Sequence, residues 1–92
     1  MDSSELNALR AVVSLREIIA LDVALAFTSE DKWTGFCPFH HDKIPSFMVS
    51  DRHQIFHCFG CGGGGDIFGW LMRKRGLSFL EAVESVRKIG KI

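Results

Sequence analysis

The stretch CPFHHDKIPSFMVSDRHQIFHCFGCGGGGD, residues 37–66, holds all three cysteines and all four histidines of a 92-residue chain. Two short-spaced pairs stand out in it. CPFH offers Cys37 and His40, and CFGC offers Cys58 and Cys61. Pairs separated by two residues let a tight backbone knuckle present both side chains to one tetrahedral ion, and zinc takes four such N or S donors. Seventeen residues lie between the pairs, enough for a strand, a turn and a return strand that bring one knuckle beside the other. His41 in place of His40 is the rival fourth donor. Four protein donors leave no open position for an activated water, so one zinc held this way is structural, and its binding energy supplements a small core.

Other chemistries fit the same letters less well. A redox reading of CFGC calls for a βαβ pattern, which is absent. A nucleophilic cysteine would be silenced by metal binding. The glycine run lacks the G-K-[ST] ending of a phosphate loop and reads as a flexible exit from the knuckle. The aspartates after residue 20 are isolated, and Glu81 with Glu84 reads as a solvated helix face, so no catalytic constellation is found.

Between the two pairs, SFMVS and QIFHCF read as two strands around the turn DRH, an antiparallel hairpin rich in aromatic and β-branched residues. KWTGF reads as a further strand. In DVALAF, the alternation of Val23, Leu25 and Phe27 with small residues reads as another. Helices are announced by caps: Ser14 with Glu17 in SLREIIALD, Asp66 before IFGWLMRKR, and Ser78 with Glu81 in SFLEAVESVRKIG. In the last of these Leu80, Val83, Val86 and Ile89 lie on one side, with Gly90 expected beyond the end. SSELNALRAVV is compatible with a helix. The expected class is α+β, a zinc ribbon with a small antiparallel sheet flanked by helices. No linker or repeat divides the chain, so it reads as one domain, residues 1–92, with its core at 35–90 and a helix and strand region at 1–34.

Apolar residues make up 47% of the sequence and charged ones 24%, ordinary globular usage that excludes disordered and low-complexity classes. No run approaches the roughly 20 apolar residues of a membrane span, and acids stand where a secretory signal carries its basic region. A cytoplasmic chain without a membrane partner is expected. Residues 1–31 carry two basic and six acidic side chains, whereas residues 32–75 carry six basic and three acidic ones. The cysteine-rich part is the basic part, a weak footprint for nucleic acid.

The run GFCPFHHDKIPSFMVSDRHQIFHCFGCGGGGD, followed by a helix and GLSFLEAV, resembles the zinc-binding domain of bacterial and phage DnaG-type primases, a CHC-type zinc finger. The resemblance implies a ribbon that recognises single-stranded template DNA and helps select where a primer starts. The resemblance also implies that a separate RNA-polymerase domain, in cis or in trans, makes the primer, so the isolated chain is not expected to be an enzyme. Because resembling domains carry basic residues on the sheet face, Lys43 and Arg52 are expected at phosphates, with Phe47, Phe56 and Trp33 as stacking surfaces for bases. Ile44 stands where relatives commonly have Thr, and TSEDKWTG is more acidic than usual. The alternative is a zinc-stabilised protein-interaction domain of a replication or mobile-element protein, docking through its last two helices.

Overall fold

A computed structural model describes residues 3–39 and 45–90. Its elements are α1 (Ser3–Val12), α2 (Leu15–Ala20), β1 (Ala26–Ser29), β2 (Lys32–Gly35), β3 (Phe47–Ser50), β4 (Ile55–Cys58), β5 (Gly64–Gly65), α3 (Ile67–Arg75) and α4 (Phe79–Gly90). The strands form one antiparallel meander in chain order, and this α+β architecture is the expected one.

Register separates the two faces of the sheet. Trp33 pairs with Val49 and Val49 with Phe56, while Gly35 pairs with Phe47 and Phe47 with Cys58. Directly paired residues share a face, so these six point the same way, toward the helices. Lys32, Thr34, Met48, Ser50, Ile55 and His57 point the other way. The helix side is closed by α2 against β3 and by α3 against β5, with α4 packed on α1 and α3. Trp70 of α3 is fully buried at the centre, its ring 5.2 Å from Phe56, 5.7 Å from Phe47 and 5.5 Å from Phe39 between ring centroids. Such offset and edge contacts add to the burial of three large rings.

Local signals place the helices. The Ser14 hydroxyl accepts the Glu17 amide, the Asp66 carboxylate accepts the Gly69 amide, and Ser78 and Glu81 bond reciprocally at 2.9 and 3.2 Å, each satisfying an otherwise orphaned amide. Two further aspartates join elements remote in sequence. Asp31, in the β1–β2 turn, accepts the Ser50 hydroxyl and the amides of Asp51 and Arg52. Burial opposes its ionisation, but these bonds prevail and hold its carboxyl below the ordinary value. Asp51, in the β3–β4 turn, accepts the Ser14 hydroxyl at 2.7 Å and the Arg16 amide at 2.9 Å, fastening the hairpin tip to the start of α2.

Four expectations need correction. The strand read from DVALAF begins only at Ala26; Val23 is buried beneath the turn after α2, so its alternation reflects core packing rather than strand pleat. The glycine run contributes β5, which pairs with β4. The buried stripe of α4 is Ala82, Val83 and Val86, while Leu80 and Ile89 face solvent. Gly90 lies within α4, where a Cβ would come within 2.8 Å of the Val12 side chain, so its smallness serves the approach of α4 to α1.

Candidate metal centre

Cys58 ends β4 on the helix-facing side, and the following turn brings Cys61 back: the Gly62 amide donates to the Cys58 carbonyl at 2.8 Å, and the Cys58 amide donates to the Gly63 carbonyl at 2.7 Å. Gly62 takes a φ of 76°, a conformation that costs a side-chain-bearing residue but not glycine. Cys37 follows β2 on the same side, so that one ligand atom from each of Cys37, Cys58 and Cys61 lies within 4.8 Å of the others.

Cys37 and Cys58 are buried and Cys61 is exposed, and all three are free. The Cys37 and Cys61 sulfurs lie 4.0 Å apart, about twice a disulfide bond length of roughly 2.05 Å. A tetrahedral ion with zinc–sulfur bonds of about 2.3 Å holds its sulfurs about 3.8 Å apart, so the residues present fit zinc. Without a cation, burial and then the neighbouring Cys58 and Cys61 push the Cys37 thiol up to about 11, against the opposing bond from the Phe39 amide. Three thiolates this close require a compensating positive charge.

His40 and its rival His41, together with Lys43, lie outside the described residues. Phe39 is placed, packed on Trp70, so the first knuckle is anchored in the core one residue before His40.

Two of the expected stacking residues are buried in the core. Phe47 and Phe56 are only 1% and 2% exposed and pack against Trp70, leaving no ring face for a base. Trp33 also lies on the helix-facing side, with the Arg16 guanidinium 4.4 Å over its ring and Phe27 at its edge. Arg52 is exposed at the hairpin tip. The outward face instead bears Phe59, 70% exposed and 4.7 Å from the His57 ring, beside a shallow hollow of about 560 Å³ lined also by Met48, Ile55 and Gly64. Phe59 lies between the two cysteines of CFGC. Its signal was the outward alternation of residues 55 and 57, which it extends by one more step.

A small antiparallel sheet that gathers three thiolates from two knuckles defines a zinc ribbon, and zinc is its cofactor. The profile of the CHC2 zinc finger of DnaG matches residues 1–92, and the chain belongs to that family as a primase-type zinc-binding domain. The DNA primase of Listeria monocytogenes is 57% identical over 54 residues, 59% of this chain and 9% of that protein. The DNA primase of Mycolicibacterium smegmatis is 41% identical over 80 residues, 87% of this chain and 13% of that protein. A crystal structure of the Aquifex aeolicus primase, containing zinc-binding and RNA polymerase domains, matches with a TM-score of 0.84 at 34% identity, covering 99% of this chain and 22% of that one. The chain thus spans 9% and 13% of the length of these two relatives. Among the described residues, no helix is long and apolar enough to cross a membrane.

Proposed function

We propose that this chain is the template-reading module of a cytoplasmic DNA primase. It holds one structural zinc through Cys37, His40, Cys58 and Cys61 and binds single-stranded DNA weakly across the open face of its sheet. Residues 1–92 act as one unit in selecting where a primer starts, and a separate RNA-polymerase domain, in cis or in trans, makes the primer. The observation that carries this reading is the asymmetry of the sheet. One face is consumed by the core, and the other presents the Phe59–His57 ring pair beside Met48 and Ile55, with Lys32 on the same face and Arg52 at its rim. Cations that track phosphates and rings that stack on bases are the two elements of sequence-tolerant binding to single strands. Arg52 and Lys43 are assigned to phosphates. Phe59 and His57 take the stacking role first expected of Phe47, Phe56 and Trp33.

The test is titration of labelled single-stranded oligonucleotides at several salt concentrations, with zinc content and folding verified for each variant. Arg52→Ala should reduce the magnitude of the salt slope by about 0.7. Phe59→Ala should cost about 1–3 kcal/mol with little change in slope. If both variants bind as tightly as the parent, the open face is not the DNA site, and a protein-docking role becomes the better reading.

A further inference from the structure

We propose that Arg73 is a positioning residue for the metal centre, bridging the two knuckles and offsetting their charge. It stands in the last turn of α3, where a cation is ordinarily explained by the helix dipole. Its guanidinium is engaged elsewhere. The Cζ atom lies 4.0 Å over the ring of Phe39, two residues after Cys37, and that ring also rests on Trp70. The same guanidinium fills the space a Cβ would occupy at Gly63, two residues after Cys61. Gly63 is itself tied to the second knuckle, because its carbonyl accepts the Cys58 amide. One planar cation therefore touches both knuckles, whose cysteines Cys37 and Cys61 are 24 positions apart. Among the described residues Arg10, Arg16, Arg75 and Arg87 each face a carboxylate, whereas Arg73 faces an aromatic ring and a glycine backbone.

The charge follows from the donor set. Three thiolates around a divalent zinc leave a net charge of −1 whatever neutral donor completes the shell. Stacking on Phe39 requires a flat guanidinium; compensating the charge requires only a cation. Groups that orient metal ligands without touching the metal typically change metal affinity 10–100-fold when removed.

The test uses the zinc-loaded chain and reads the rate of zinc transfer to an excess chelator, apart from any nucleic-acid binding. Release should be about tenfold faster in Arg73→Ala and in Arg73→Gln, and intermediate in Arg73→Lys, which keeps the charge without the planar stack. Arg75→Ala, which removes a cation two residues on that is paired with Asp22, should release zinc at the parent's rate. Parental release from Arg73→Ala, equal acceleration by Arg75→Ala, or release from Arg73→Lys as fast as from Arg73→Gln would overturn the proposal. Should Arg73→Ala fail to load zinc, the comparison of the Lys and Gln variants decides. The inference needs only zinc on the cysteines, so failure of the DNA reading leaves it untouched.

Discussion

Removing the zinc is the most informative perturbation of this domain, because the centre is built into the core rather than appended to it. A chain of 92 residues has a total stability of roughly 5–14 kcal/mol. Structural zinc sites bind with apparent energies of about 10–16 kcal/mol near neutral pH, and a free zinc concentration of about 1 μM corresponds to about 8 kcal/mol. Mass action then leaves about 2–8 kcal/mol of stabilisation from the metal, with a midpoint near 5 kcal/mol. The packing favours transmission of that loss. Phe39 joins the first knuckle to Trp70, and Cys58 belongs to a strand whose Phe56 also contacts Trp70. For a domain of this size 1 kcal/mol moves the melting temperature by at least about 4 °C, so zinc-free protein should melt roughly 20 °C lower. The assay is thermal unfolding by circular dichroism under reducing conditions, with metal content measured before and after chelation. The near-ultraviolet signal should also diminish as the rings around Trp70 lose fixed packing. A decrease of less than about 5 °C in verified metal-free protein, with the near-ultraviolet signal intact, would refute the reasoning.

Zinc affinity should depend on pH with a sign set by Cys37. Because burial and its sulfur neighbours push that thiol up to about 11 in the metal-free chain, it stays protonated across the neutral range and must lose its proton on binding. Affinity should therefore fall at least about tenfold for each unit of pH decrease between about 9 and 7, measured by competition with a chelator of known affinity; a flat profile would remove Cys37 from the ligand set. Asp51→Ala should destabilise the zinc-loaded chain by about 1–2 kcal/mol, since it removes acceptors for the Ser14 hydroxyl and the Arg16 amide. An unchanged urea midpoint would show that the hairpin tip does not support α2.

What was legible in the sequence is what depends on neighbours. Ser14, Asp66 and Ser78 signal helix starts because their bonding partners lie three residues on. The hairpin was legible because its strands alternate around a short polar turn. What escaped depends on distant partners. Asp31 and Asp51 look isolated because the groups they accept lie 19–21 and 35–37 positions away. Gly64 and Gly65 have no side chains with which to announce a strand, and only pairing with β4 makes them one. The aromatic error has a similar cause. Alternation sorts Phe47 and Phe56 from Met48 and His57, but which set the helices cover is settled only when Trp70 arrives from α3. The cysteine cluster was clearest, because coordination imposes its own short spacing on Cys58 and Cys61.

Strand β4 divides its duties by parity. In four residues it sends Ile55 and His57 outward, Phe56 to the Trp70 cluster and Cys58 to the cysteine cluster. A single inserted residue would exchange these roles at once, so the strand's length is constrained far more tightly than its composition. Substitution at the outward positions carries no such penalty. Mutational drift can retune whatever that surface meets, position by position, while the alternate positions keep the ion and the aromatic centre in place.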